Sequence, residues 1–203
     1  MKLYIVRHGE TDYNTKKIIQ GQVNTPLNKK GEKQAKLIAK RLGVVNFDLI
    51  YSSDLRRAKQ TTKEIMKFQK CLVKYVKELR ERHYGIFQNK FEQIYYEYLA
   101  QNNVSSHNPD YRIPGGESRQ DHYIRVEKFL EKIYKKHKDK TVLLSTHGGT
   151  KKAILRYLIN IPRNQYGIKD PDNASLTIVQ FHENGKHKIE LEGDVKHLKN
   201  LKQ

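Results

Sequence analysis

The sequence has a single cysteine, no tryptophan and no long apolar run among its 203 residues. One cysteine, Cys71, excludes an internal disulfide and offers no pair spaced for zinc, so we expect a reducing compartment and a small buried apolar side chain. No apolar run approaches the roughly 20 residues that span a bilayer, and Met1 leads into a strand-like run without a cleavable apolar leader. These features predict a cytoplasmic protein with no membrane partner.

Acidic residues are scarce beside basic ones. There are 40 Lys+Arg against 22 Asp+Glu, which leaves a net charge of +18. Such a surplus attracts anions, whether phosphorylated metabolites, nucleic acids or acidic membranes. The lysines are spread over several helix-like segments, and no zinc finger, helix-turn-helix or RNA-recognition motif accompanies them. We therefore interpret the charge as a lysine-rich solvated surface and do not expect a nucleic-acid partner.

Strand-like and helix-like segments alternate in the first half of the chain. The predicted elements are a strand at 3–6, a loop at 11–27, a helix after Asn28, a strand at 48–51, a helix at 55–68 capped from Ser52, Ser53 or Asp54, and a short strand at 73–76. The helices have apolar residues at helical spacing, and each strand ends in turn residues. This βαβαβ pattern is typical of a parallel sheet.

The second half continues the alternation and ends in a hairpin. The predicted elements are a helix at 91–102, a loop at 103–117, a helix at 118–137, a buried strand at 141–145, a helix at 151–159, and strands at 176–181 and 187–191 joined across 183–185. The residues at 196–203 resemble a frayed tail. The predicted fold class is α/β, with three α/β/α layers, a mostly parallel central sheet and a C-terminal antiparallel hairpin. Because no linker separates two units, we expect one domain over residues 1–203 with a helical and loop insertion at about 84–118.

Polar side chains follow the ends of the predicted parallel strands. Arg7 and His8 end the first strand, Arg57 follows the second, Glu81 the third, and His147 the buried fourth. A lone histidine at a strand end is more often structural, but two His-Gly pairs at one sheet edge favour chemistry. Cations, a nucleophile and a carboxyl group are the parts that phosphoryl transfer needs. The pattern therefore predicts a phosphoryl-transfer site.

Several motifs together resemble those of the histidine phosphatase superfamily, in its phosphoglycerate mutase-like branch. A lone Arg-His-Gly would be weak evidence, but the series occurs in family order from Leu3 to about Thr150. The motifs are Val6-Arg7-His8-Gly9-Glu10-Thr11 with Asn14, Gln20-Gly21, Thr25-Pro26-Leu27, Gly31, Ser52-Ser53-Asp54-Leu55-Arg56-Arg57-Ala58 with Thr61, Leu79-Arg80-Glu81-Arg82, Pro114-Gly115-Gly116-Glu117-Ser118 and Thr146-His147-Gly148-Gly149.

The resemblance implies a role for each catalytic residue. His8 would attack phosphorus and become a phosphohistidine, while Arg7 and Arg57 would hold phosphate oxygens. His147 would be a further phosphate ligand, and Glu81 would protonate the leaving alcohol and then activate water. Substrate-binding roles fall to Asn14, Gln20, Gly21, Tyr84, Lys90 and Gly148. The neighbouring Arg56, Arg80 and Arg82 are interpreted as surface charge, and neither a metal nor a cofactor is expected.

The reaction that the phosphohistidine would serve is predicted to be hydrolysis of a small phosphorylated metabolite. Family mutases resemble one another in a longer middle insertion with adjacent arginines. In this chain, the segment between Glu81 and Gly115 is short and has only Arg82 and Arg112, which are not adjacent. Residues 82–85 and Lys90 nevertheless resemble the carboxylate pocket of a mutase, and they also resemble the corresponding residues of sugar bisphosphatases. Phe87-Gln88-Asn89 and Asn24 depart from the usual phosphatase residues and leave the substrate open. A phosphoglycerate mutase stays an alternative. A non-enzymatic basic binding scaffold is a second alternative. As a partner besides the substrate, we consider a second copy of the chain in a homodimer.

Overall fold

The computed structural model describes residues 1–163, 165, 167–182 and 186–201, apart from the side chain of Asn200. The strands are Lys2–Arg7 (β1), Leu49–Ser53 (β2), Leu72–Val76 (β3), Thr141–Thr146 (β4), Leu176–Phe181 (β5) and His187–Asp194 (β6). The α-helices are Asp12–Thr15 (α1), Lys29–Leu42 (α2), Arg56–Ile65 (α3), Glu92–Gln101 (α4), Arg119–Lys136 (α5) and Gly148–Leu158 (α6).

The six strands form one sheet in the order β3-β2-β4-β1-β5-β6. Strand β4 is inserted between β1 and β2, and it pairs with both in parallel. Strand β5 pairs antiparallel with β1, and β6 pairs antiparallel with β5. The carboxyl ends of β1, β2 and β4 therefore lie side by side at one sheet edge. The predicted turn at 183–185 lies outside the described residues.

Alternate residues of β1 face opposite layers of helices. Leu3 and Ile5 pack with apolar residues of α5 and α6, whereas Tyr4 and Val6 pack with residues of α2 and α3. This alternation follows from the two-residue period of a strand, and burial on both faces explains the continuous apolar run. The predicted fold class, three layers with a mostly parallel sheet and an antiparallel C-terminal pair, is confirmed.

The residues between Tyr84 and Ser118 have an apolar cluster of their own, separate from the two that cover the sheet. The cluster brings Phe87, Tyr95, Leu99 and Ile113 together with Ile19 from the loop after β1. We call residues 84–118 the cap segment. That the cap segment is an insertion into a single domain of residues 1–203 stays a prediction.

Helix α3 begins differently from the prediction. It starts at Arg56, with Leu55 in the N-cap position and no side-chain hydrogen bond from Leu55. The Ser53 hydroxyl accepts from the backbone of Leu55, and Asn24, far away in the sequence, accepts from the Arg56 N–H at 3.0 Å. The predicted local cap is therefore wrong because a loop side chain supplies the acceptor at the first turn.

Four smaller features also differ from the prediction or add to it. A one-turn helix, α1, interrupts the expected loop after β1, with Thr11 and Asn14 forming a capping box. The expected frayed tail forms a 3₁₀ helix at Lys196–Leu201 instead, and its Leu198 packs against the α2 layer. Cys71 is only partly buried. Within the described ranges, no helix is long and apolar enough to cross a membrane.

Candidate active site

A cavity of about 410 Å³ lies at the carboxyl edge of β1, β2 and β4, beneath the cap segment. Its wall includes Arg7 and His8 from β1 and the turn after it, Arg57 from α3, and Glu81 from the segment after β3. Four of the five predicted catalytic residues thus line one cavity. His147, the fifth, is fully buried with its ring centroid 5.1 Å from that of His8.

The hydrogen bonds of His8 fix its tautomer. Its Nδ1 lies 2.7 Å from the carbonyl oxygen of Gly9, an acceptor, so Nδ1 must carry the proton. Nε2 is then a lone pair, and it accepts from the Arg57 Nε at 3.2 Å. Burial, with the charges of Arg57 and Arg7 adding to it, holds the pKa of His8 well below its usual value. The imidazole is therefore neutral at physiological pH and keeps a nucleophilic nitrogen.

The Arg57 guanidinium is held in place by carbonyl oxygens. Its other nitrogens donate to the carbonyl oxygens of Val23 and Gly21, each at 2.8 Å, and the side chain is only 1% exposed. Gly21 has φ of +48°, a conformation that glycine adopts without strain. The loop after α1 therefore aims a rigid cation at His8.

Arg7 and His147 each have a buried nitrogen with no hydrogen-bond partner among the described residues. In Arg7 this atom is Nε, and in His147 it is Nδ1. The Ser53 hydroxyl accepts from the backbone of Leu55 and lies 2.7 Å from His147 Nε2, so its proton is available to that nitrogen. With the Ser53 hydroxyl donating to Nε2, Nδ1 of His147 would carry the proton and serve as a donor. Buried polar atoms without partners are costly, so these two nitrogens mark where an anion would be stabilised.

Glu81 is fixed by two backbone N–H groups. Its Oε2 accepts from Gly149 at 2.8 Å and its Oε1 accepts from Arg82 at 2.9 Å. A Cβ on residue 149 would lie 2.4 Å from Oε1 of Glu81, which explains why a glycine is needed there. The carboxyl group is thus held in a fixed orientation in the wall of the cavity that also contains His8 and Arg57.

The predicted substrate-binding residues separate into two groups. Asn14, Gln20, Gly21, Tyr84 and Gly148 line the cavity. Lys90 does not line it: the side chain is exposed, and its Nζ lies 5.9 Å from the ring centroid of Phe87. The structure therefore does not bring Lys90 to the other predicted residues.

The interpretation of Arg82 as surface charge is wrong. Its side chain is 4% exposed, lies 4.2 Å above the ring centroid of Tyr84 and donates to the Tyr95 hydroxyl at 3.1 Å. The two tyrosines come from the cap segment, so cation–π contact and cap packing bury a residue that its local sequence describes as solvated. Of its two neighbours, Arg56 is exposed and Arg80 is half-buried in an ion pair with Asp54.

Three residues that the sequence analysis assigned no role at the site also hold it together or line it. Asn173 donates from Nδ2 to the carbonyl oxygen of His8 at 3.1 Å and to Oδ1 of Asn14 at 3.3 Å. Arg119 and Lys152 line the cavity from the first turns of α5 and α6. Neither residue lies in a motif, but helix N-terminal turns that open onto a sheet edge are a usable signal for such positions.

Comparison with known proteins shows the family to which the chain belongs. The model of the histidine phosphatase superfamily (branch 1) matches residues 3–193. A metal-independent phosphoserine phosphatase of Arabidopsis thaliana is 39% identical, over 98% of this chain and 84% of that protein. A protein of Enterobacter sp. (strain 638) named "Probable phosphoglycerate mutase GpmB" is 29% identical, over 98% of this chain and 95% of that protein. The structure of a mycobacterial glucosyl-3-phosphoglycerate phosphatase superposes with a TM-score of 0.84 at 28% identity, covering 96% of this chain and 99% of that one.

The chain belongs to the histidine phosphatase superfamily, and its fold is that of the phosphoglycerate mutase-like proteins. The predicted class of enzyme, a phosphomonoesterase of this superfamily, is confirmed, since the relatives include a metal-independent phosphatase. The mutase alternative is also represented among the relatives.

Proposed function

We propose that this protein hydrolyses a small phosphomonoester through a phosphohistidine on Nε2 of His8. The observation that carries the proposal is the tautomer of His8: Nδ1 is committed to the Gly9 carbonyl oxygen, and Nε2 faces Arg57 as a lone pair. A neutral imidazole held in this way can attack phosphorus without first losing a proton.

The proposed reaction has two steps. In the first, Nε2 of His8 forms a bond to phosphorus, the ester P–O bond breaks, and Glu81 gives its proton to the leaving alkoxide. In the second, Glu81 takes a proton from water, whose oxygen attacks phosphorus, and the N–P bond breaks to release inorganic phosphate. Arg7, Arg57 and the Nδ1 donor of His147 stabilise the charge on the phosphoryl oxygens in both steps.

We further propose that the substrate carries a carboxylate besides the phosphate. Three cations, Arg82, Arg119 and Lys152, also line the cavity, where Lys152 forms an ion pair with Asp170. Nε of Arg82 and Nε of Arg119 are buried without a partner among the described residues, as Nε of Arg7 is. Such donors fit a second anionic group. Phosphoserine, on which the A. thaliana relative is named to act, and phosphoglycerate are small esters of this class.

Two matched substrates test the carboxylate. Phosphoserine and phosphoethanolamine differ only by that group, and we expect phosphoserine to have a kcat/KM higher by roughly 10- to 100-fold, the value of one or two charge-assisted hydrogen bonds. Phosphate release is measured without added metal and with a chelator present. Equal kcat/KM for the two esters would contradict a carboxylate site.

Removing either arginine should erase that preference. We expect Arg82→Met and Arg119→Met to lower kcat/KM for phosphoserine by about tenfold or more while changing it little for phosphoethanolamine, because only the carboxylate loses its partner. Arg112→Met removes an exposed arginine of the cap segment as the matched control. Since Arg82 is buried, thermal unfolding checks its fold, and Arg119→Met gives an independent answer. Equal losses on both esters would place the two arginines outside substrate recognition.

The same assay separates hydrolysis from the mutase reaction. With 3-phosphoglycerate, a phosphatase releases inorganic phosphate, whereas a mutase primed with 2,3-bisphosphoglycerate yields 2-phosphoglycerate without net release. We propose the first outcome.

We also propose a cytoplasmic location and no nucleic-acid partner. As a partner besides the substrate, we propose a second copy of the chain. Sedimentation equilibrium tests the last of these.

A further inference from the structure

A lysine that the proposed reaction does not use lies fully buried behind the site. Lys151, in the first turns of α6, is 0% exposed. Its Nζ donates to the carbonyl oxygen of Ser175 at 3.0 Å and to the Ser175 hydroxyl at 2.9 Å. Both partners are uncharged oxygens. A buried ammonium is costly unless its charge is compensated, so a lysine at this position calls for an explanation.

Ser175 ends the segment 171–175, which precedes β5 and contacts Arg7 and His8 of the proposed phosphate site. Its carbonyl oxygen, the acceptor for Lys151, also accepts from the backbone N–H of Arg7 at 3.3 Å. The preceding residue, Ala174, donates its N–H to the carbonyl oxygen of His8 at 3.1 Å. Lys151 therefore anchors a stretch of chain that touches both residues of the Arg-His pair.

The charges around Lys151 come from three elements. Arg7, at the end of β1, opposes its protonation, whereas Asp172 before β5 and Glu192 on β6 favour it. Burial is the larger influence, and together with Arg7 it lowers the pKa of Lys151 to about 7. Arg7 and Lys151 thus repel each other electrostatically near the end of β1, and a divalent anion bound at Arg7 would offset that repulsion.

We propose that Lys151 is a positioning residue of the phosphate site, which holds the 171–175 segment against Arg7 and His8 and adds a buried positive charge that strengthens oxyanion binding. It does not touch the substrate and acts through Ser175 and Arg7. The inference rests on the proposed function for the location of the phosphate, but binding alone suffices to test it.

Protonation of Lys151 and binding of the oxyanion are then linked. The protonated enzyme binds a divalent oxyanion more tightly, so affinity falls as the pH rises through the titration of Lys151. By reciprocity, the bound oxyanion makes Lys151 bind its proton more tightly by the same factor. A lysine that serves only to fill space would show neither effect.

Sulfate is a suitable probe because it stays a dianion between about pH 5.5 and about pH 9 and cannot turn over. We expect the dissociation constant of sulfate, measured by calorimetry, to rise on the order of tenfold across this range in the wild type. Lys151→Met should bind sulfate more weakly at the acidic end and respond less to pH, whereas Lys135→Met, which removes an exposed lysine of α5, should follow the wild type. Wild-type affinity and pH response in Lys151→Met would overturn the proposal.

A direct titration of the wild type covers the case in which Lys151→Met does not fold. In protein with ¹³C-labelled lysine, the ε-carbon signal of Lys151 should titrate at higher pH with saturating sulfate than without it. An unchanged midpoint would overturn the proposal. Loss of ester hydrolysis in an enzyme that still shows the linked titration would instead reject the proposed function and leave Lys151 in its role.

Discussion

Replacing His8 with alanine should abolish phosphatase activity, with kcat on p-nitrophenyl phosphate falling by about 10⁴-fold or more. The reason is that Nε2 of His8 is the lone pair that the surrounding structure prepares, with Nδ1 bonded to the Gly9 carbonyl oxygen and Arg57 donating to Nε2. Steady-state assays without metal measure the loss.

The matched control is His137→Ala, which removes a histidine that bonds to Tyr51 at the far end of α5 and does not line the cavity. It should keep wild-type turnover. Acid quenching during turnover releases phosphate from a phosphohistidine, whereas alkaline quenching preserves it, so the labelled intermediate should appear in the wild type and not in His8→Ala. Turnover near the wild-type rate in His8→Ala would remove His8 as the nucleophile.

The parts of the fold that depend on local pattern could be predicted from the sequence. Strands β1 and β4 are apolar runs buried on both faces, and the polar residues that follow them can only project from the sheet edge. The N-cap of α2 is equally local, since Asn28 accepts from the N–H of Gly31 three residues later. The spacing of apolar residues and the residues at the ends of helices and strands predict these features from a few neighbouring residues.

The features that the sequence analysis missed depend on contacts between distant segments. Asn24 caps α3 across more than 30 positions of the chain. Arg82 is buried because Tyr84 and Tyr95 of the cap segment pack around it, and a charged residue next to Glu81 gives no local sign of this burial. Lys90 has the residue type and spacing of a pocket lysine, but the backbone at 89–90 pairs with Ile19 and its side chain is directed to solvent.

Within the site too, features set by local sequence differ from features set by contacts between distant segments. His8, which we propose as the nucleophile, and the arginines beside it were predictable because each ends a strand, directly follows one or begins the next helix. The residues that orient them were not, because Ser53 supports His147, and Asn173 supports His8, through hydrogen bonds across the sheet edge. Asn173 lies just before β5, a strand that pairs antiparallel and was expected to contribute only a hairpin. Because β5 lies next to β1 in the sheet, Asn173 is within hydrogen-bond distance of the His8 carbonyl oxygen.

The second large effect is expected for Glu81→Gln, and its size should depend on the leaving group. An alkyl phosphate needs a proton on its departing oxygen, so we expect kcat/KM for phosphoserine to fall by about 10²- to 10⁴-fold. The p-nitrophenolate ion departs without a proton, so phosphorylation of His8 by that ester should change little. Hydrolysis of the phosphoenzyme still needs Glu81 as a base and becomes rate-limiting.

Rapid-quench kinetics then distinguish the proton-transfer role from simple positioning. With p-nitrophenyl phosphate, Glu81→Gln should release one p-nitrophenolate per active site in a burst and accumulate phosphohistidine, whereas with phosphoserine it should show no burst. Glu92→Gln, which changes an exposed carboxylate on the same cavity wall, should behave as the wild type with the p-nitrophenyl ester. Because the Glu81 oxygens accept from two backbone N–H groups, glutamine also loses one of these bonds. That structural loss would slow both esters equally, so an equal decrease without a burst would argue that Glu81 orients the site rather than moves the proton.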